Sequence, residues 1–126
     1  MVIKGLYYSK DHEWVKIDGD KAYIGITDYA QDSMGDIVFV ELPELEATFS
    51  AKDSFAVVES VKAAADIYLP IGGTVIEVNE LLEDEPERLN SDAFETHIAV
   101  LKDFDAAELE ELMDDQAYEA YCNSLE

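Results

Sequence analysis

Two runs of alternating apolar residues on either side of a short insert constrain this chain more than any other feature in it. Before the insert, Phe55, Val57 and Glu59 alternate with their neighbours; after it, Ile67 and Leu69 do the same until Pro70 stops the run. Period-two alternation flanking an insert reads as a β-hairpin whose connection projects into solvent. The insert Val61-Lys62-Ala63-Ala64-Ala65 favours helix by propensity, but a piece this short cannot hold a helix alone. Lys62 is therefore expected at an exposed tip. Taken by itself it would be an ordinary solvated lysine.

The rest of the chain supplies more β signals. Residues 14–17 and 21–26 flank Asp18-Gly19, a hairpin dipeptide of the type I′ kind, in which glycine accepts positive φ. Thr27 is placed to cap a short helix from Asp28 to Met34, with Gly35 as its stop. Residues 36–42 read as a buried strand ended by Pro43, and 44–54 as polar turns. A further strand over 74–78 is entered through Gly72-Gly73. Gly35 and Gly73 each precede an apolar strand, a weak echo compatible with a two-fold-like β sandwich. Residues 79–90 suit a loop with short helical pieces around Pro86, and 97–101 a last strand. In the tail, Asp105 and Glu108 form a capping pair. Leu109, Leu112, Met113, Ala117, Ala120 and Tyr121 then recur at helical spacing, with Glu110, Glu111, Asp114, Asp115 and Glu119 on the wet face.

At 126 residues the chain suits one domain, 1–126, with a modest core. Thirty acidic against eight basic residues leave a net charge of −22. Such a surface repels nucleic acid and anionic membrane, and steers toward basic protein patches. It equally suits a merely solvating surface, and self-repulsion should weaken the fold at low salt. No apolar run reaches membrane-spanning length, and Met1-Val2-Ile3-Lys4-Gly5 carries neither an h-region nor a transit pattern. A bacterial-type cytoplasm is the expected location, although a mature mitochondrial form would look the same. The single Cys122 cannot close an internal disulfide and reads as a passive residue of the last helix. No Gly-rich phosphate loop, zinc-type Cys/His cluster or nucleophile elbow is present. His12 reads as support for Trp14 and its loop, and His97 as structural; they are not a metal pair by spacing. The chain is not expected to be an enzyme or to hold a metal.

The octapeptide Glu59-Ser60-Val61-Lys62-Ala63-Ala64-Ala65-Asp66 closely resembles the lipoylation site of the glycine cleavage system H protein family. The resemblance continues through Tyr8 to Trp14, Gly25 to Gln31, Gly35 to Glu44 and Gly73 to Asn79, in order and at family spacing. It implies a mainly β fold, a barrel-sandwich hybrid like that of biotinyl and lipoyl carriers, with short helices and a C-terminal helix. It implies covalent lipoate on Lys62, with Glu59, Ser60, Val61 and Ala63 as the flank read by a lipoate ligase or lipoyltransferase. By the same resemblance, the arm would carry the aminomethyl intermediate of glycine decarboxylation. The partners implied are a pyridoxal-phosphate glycine decarboxylase, a folate-dependent aminomethyltransferase and a dihydrolipoyl dehydrogenase, served by a monomer. Glu13 and Asp66 match positions expected to line the cleft in which the loaded arm rests, shielded from water, where a carboxylate could hold its cationic amine.

The chain departs from the family in places. Glu46, Lys52 and Ala56 stand where the family usually has glycine, so a left-handed turn at Lys52 would cost about 1 kcal/mol or more. The family's Gly-Trp before the last strand is missing, with His97 at the tryptophan position. Other readings are an H-like lipoate relay that donates lipoyl groups to other acceptors, a lipoyl or biotinyl domain of a larger complex, and an unmodified acidic interaction module. Biotin carriers place methionines beside their lysine, where this chain has Val61 and Ala63.

Overall fold

A computed structural model describes residues 2–125; the outer bounds of the expected 1–126 domain, Met1 and Glu126, lie outside them. In chain order the strands are β1 (Tyr7–Tyr8), β2 (Glu13–Asp18), β3 (Lys21–Ile26), β4 (Ile37–Glu41), β5 (Thr48–Phe49), β6 (Ser54–Ser60), β7 (Ala64–Tyr68), β8 (Gly73–Val78) and β9 (Ala99–Lys102). They form two antiparallel sheets, one of six strands in the order β1-β2-β3-β9-β8-β5 and one of three in the order β4-β6-β7. Between the sheets lie Val15, Ile24, Val40, Val58, Ile67 and Val75, all buried. Each such side chain contributes about 1.5–3 kcal/mol by leaving water. The expected mainly β sandwich with short helices is what forms.

Local rules account for several elements. The Thr27 hydroxyl accepts the Ala30 N–H and starts α1 (Asp28–Met34), and Gly35, at φ 79°, ends it. The β2–β3 turn differs in type from the expected one. Its two connecting residues are Gly19 and Asp20, since Asp18 pairs with Lys21, and only Gly19 is left-handed, at φ 62°. Positive φ at the first position alone is the II′ pattern, which needs one glycine. Between β8 and β9 come two single-turn helices, α2 (Leu81–Asp84) and α3 (Arg88–Ser91), which bury Leu82 and Leu89.

Other expectations are corrected as well. β4 is half solvated rather than buried: Ile37 and Val40 face the core, while Val38 and Phe39 stand out. β6 does not alternate through Phe55, Val57 and Glu59. A register shift between Ser54 and Ala56 puts Phe55, Ala56 and Val58 inward and leaves Val57 on the outer side, because a bulge reverses the side-chain phase beyond it. The tail is not one helix. Asp105 caps a 3₁₀ helix (Ala106–Glu111), the chain extends through Met113, and Asp114 caps a separate α4 (Asp115–Ser124). Met113 exchanges two backbone hydrogen bonds of 2.8 Å with Tyr8, extending the sheet, and a strand contact cannot lie inside a helix. Glu108 does not close a capping box; its carboxylate accepts the Gly72 N–H at 3.0 Å. The buried residue of α4 is Tyr118, whereas Ala117 and Ala120 are exposed.

Tyr118 joins a second apolar cluster with Leu6, Tyr8 and Trp14. Its ring stacks on Tyr8 at 4.5 Å. Trp14 donates its indole N–H to the Ala93 carbonyl and lies over Gly25, where a Cβ would stand 2.4 Å from the indole ring. His12 does not support Trp14. Its ring is taken up instead by α1 and the last helix: it stacks on Tyr29 at 4.3 Å and turns Nδ1 to the Tyr118 hydroxyl at 2.7 Å. His97 meets Tyr23 edge-on at 5.3 Å, a packing role in place of the absent tryptophan.

Candidate functional site

The β6–β7 hairpin forms at the expected place despite the bulge in β6, with Glu59 opposite Ala64 and residues 61–63 exposed at the turn. The turn is held from within. Ser60 N–H donates to the Ala63 carbonyl at 2.9 Å, and the Ser60 hydroxyl donates to the same oxygen at 3.1 Å. That hydroxyl also accepts the N–H groups of Lys62 and Ala63 at 3.2 and 3.3 Å. The Val61 N–H donates to the Asp36 carbonyl at 2.9 Å and ties the tip to the chain entering β4. A serine side chain substituting for a backbone partner in this way is a common turn device. So Ser60, anticipated as a residue read from outside, has its hydrogen bonds committed inside the turn.

Lys62 is exposed and projects from this tip over the end of α1. Its stem passes close to Gly35, where a Cβ would meet Lys62 Cε at 3.4 Å, and Nζ lies 3.5 Å from the Ser33 carbonyl. That carbonyl belongs to the last turn of the helix, where the dipole is negative and a cation is favoured. Glu59 and Val61 are exposed beside it, and Val61 is 67% accessible.

Glu13 is placed very differently. The β2 strand begins at it, and its carboxyl is buried, at 2% exposure. The Ser9 hydroxyl donates to Glu13 Oε1 at 2.5 Å while accepting the Glu13 N–H at 3.1 Å. Oε2 accepts the Tyr68 N–H at 3.3 Å, so the carboxyl sits against the outer edge of β7. Burial pushes its pKa up to about 7, against the opposing pull of Ser9 and Tyr68. Glu13 lines a cleft of about 490 Å³ with Ser9, Lys10, Lys52, Leu69 and Met113 among the other walls. Asp66 is not among them. It stands exposed two residues before Tyr68 on β7, and its carboxylate accepts from the Ser54 hydroxyl at 3.2 Å. The two acids anticipated together therefore share a strand edge but not a cavity wall. Ser9 was missed in the sequence. The Ser-x-x-x-Glu spacing, once a turn at His12 brings the two ends together, was the available signal.

Glu46 and Lys52 are both left-handed, at φ 69° and 74°, so these two positions keep a glycine-type backbone without glycine. Ala56 does not, since it lies in β6 beside the bulge.

A rigid β sandwich that holds one lysine out on a hairpin, with a cleft elsewhere on the body, defines a lipoyl-carrier-like protein. Residues 6–125 match the family described as glycine cleavage H-protein. The chain is 54% identical to the glycine cleavage system H protein of Thermoanaerobacter pseudethanolicus over 95% of each chain. It is 59% identical to that of Clostridioides difficile over 91% of this chain and 93% of the relative. A crystal structure of a glycine cleavage system H protein from Mycobacterium marinum superposes with a TM-score of 0.87 at 31% identity, covering 97% of this chain and 99% of that one. The chain belongs to the glycine cleavage H-protein family, the lipoyl carriers of the glycine cleavage system. Members are carrier components that work with the other components of that system. Among the described residues, no helix is long and apolar enough to cross a membrane.

Proposed function

We propose that Lys62 is the residue of this chain that takes lipoate, through an amide on Nζ, and that residues 1–126 act as one non-catalytic carrier domain. The observation that carries this is the exposed lysine on a turn whose own hydrogen bonds are already satisfied. The Nζ contact to Ser33 is long, so an acyl group can replace it at little cost. The narrow tip can enter an active site while the sandwich stays outside. Once bound, lipoate supplies a dithiolane that can take up a group at one active site and give it up at another. Tethering replaces free diffusion between those sites with a high local concentration.

The other residues would support this role. Glu59, Val61 and Ala63 form the exposed flank for a lipoate ligase or lipoyltransferase, and Ser60 shapes the turn. Glu13 provides the cleft with a carboxyl that can hold a cationic amine, and a cation beside it would draw its pKa back down. Asp66 belongs to this proposal through its place on β7, two residues before the Tyr68 whose N–H Glu13 accepts. The partners are the pyridoxal-phosphate glycine decarboxylase, the folate-dependent aminomethyltransferase and the dihydrolipoyl dehydrogenase, met by a monomer in the cytoplasm.

Intact mass after incubation with lipoate, ATP and lipoate ligase tests the attachment. The wild-type chain should gain one lipoyl increment and Lys62→Ala none. An unmodified wild-type chain, or a modified Lys62→Ala, would overturn the assignment. The lipoylated chain should then support glycine–bicarbonate exchange by the decarboxylase, and no exchange would remove the glycine cleavage role.

A further inference from the structure

The register of the three-stranded sheet sorts its side chains into rows. Val40, Val58 and Ala65 align on the inner face. The outer face carries Phe39, Glu59 and Ala64 in one row and Glu41, Val57 and Asp66 in the next, with Ser54 and Tyr68 paired below. Phe39 is 48% exposed and Tyr68 39%, and Val61, 67% exposed, lies in the turn beyond the end of these rows. Large apolar groups this open, grouped on one stiff sheet, are characteristic of contact surfaces. Three carboxylates, Glu41, Glu59 and Asp66, stand among them, and none of these rows holds a lysine or arginine.

We propose that this outer face is the docking platform for the enzyme that acylates Lys62, and that the matching surface of that enzyme is an apolar slot rimmed by basic side chains. The inference rests on reading Lys62 as the acylated residue. Reach decides the partner. An acylating enzyme must bring its active site to Nζ itself, so its contacts fall on the tip and on the face continuous with it. Enzymes visited by a long arm can dock farther away. Phe39 and Val61 are the apolar anchors: β4 holds Phe39 in place, and the Val61 backbone is tied to the Asp36 carbonyl, which limits the ordering cost on binding. Glu41, Glu59 and Asp66 set the orientation by attracting the basic rim. Ser60 has its hydrogen bonds inside the turn, which leaves recognition to these neighbours.

The test measures kcat/KM for lipoyl transfer by lipoate ligase, with lipoate and ATP, on full-length variants followed by intact mass. Glu41→Lys with Asp66→Lys reverses the rim without touching the tip. The expected result is a loss of about tenfold or more that shrinks as salt is raised. Phe39→Asn should lose about tenfold with little dependence on salt. Glu110→Lys with Glu119→Lys makes the same charge change on the C-terminal segment and should stay within about twofold of wild type. If a reversal variant melts early, Glu41→Gln with Asp66→Asn takes its place, with a smaller loss of about fivefold expected. Wild-type rates in the face variants, with Lys62→Ala still unmodified, would overturn the platform and leave Lys62 standing. An equal loss in the Glu110/Glu119 pair would also overturn it, by showing that only total charge matters. A wild-type chain that takes no lipoate would remove the Lys62 reading and the platform together.

Discussion

The Tyr118 hydroxyl lies 2.7 Å from His12 Nδ1, joining the loop before β2 to the last helix across 106 positions of sequence. The same hydroxyl is 2.7 Å from Thr27 Oγ1, the oxygen that caps α1. One side chain therefore links three elements that share no strand pairing. Burial raises the Tyr118 pKa, so the hydroxyl stays protonated and available as a donor. Tyr118→Phe keeps the ring stacked on Tyr8 but leaves His12 with a half-buried, unpaired nitrogen. The expected cost is about 1–3 kcal/mol, read as an earlier chemical-denaturation midpoint. An unchanged midpoint would show that water replaces the hydroxyl without loss.

Glu13 makes stability depend on pH in an unusual direction for a carboxylate. Its folded pKa of about 7 lies above the ordinary 4.5, so between these values the folded state holds a proton that the unfolded state releases. Stability from this group is full below pH 4.5 and falls as pH rises through 7. Glu13→Gln removes the titration. Its stability relative to wild type should climb between pH 5 and 8, by about 3 kcal/mol at most. Urea unfolding of both proteins at several pH values checks this. A gap that stays flat with pH would show that Glu13 ionises normally.

Burial lowers the pKa of His12, so its contribution runs the other way. That contribution is present above pH 6.5 and fades as pH falls below it, when the unfolded state takes up the proton more readily. In Glu13→Gln, where the opposing Glu13 effect is gone, the residual loss of stability toward acid should shrink on adding His12→Asn. An acid slope that His12→Asn leaves intact would assign the loss to other groups.

Lys52 and Glu46 hold left-handed backbone that glycine adopts without steric cost. Glycine at either position removes the steric strain but frees the unfolded chain, so the two effects partly cancel. Lys52→Gly and Glu46→Gly should each stabilise by about 0.5–1 kcal/mol, seen as a rise in Tm. A fall in Tm would mean that the side chains contribute contacts worth more than the strain.

What local sequence determined is what local physics can decide. The hairpin around Lys62, the Thr27 cap, the Gly35 stop and the strand over 74–78 each follow from residues a few positions apart. Two β-rich runs around an insert too short to hold a helix were enough to place Lys62 at a tip. The tertiary structure decided everything that depends on distant atoms meeting. Met113 broke the tail helix because its backbone found Tyr8, far away in the chain, and the bulge at Ala56 turned Val57 outward through a shift in strand pairing that the apolar pattern does not record. Glu13 matched a cleft position by resemblance, but its burial exists only because Ser9 folds back on it and the β7 edge closes over it. Burial and cleft walls belong to pairs of segments, so a one-dimensional pattern carries no record of them until the sheets are packed.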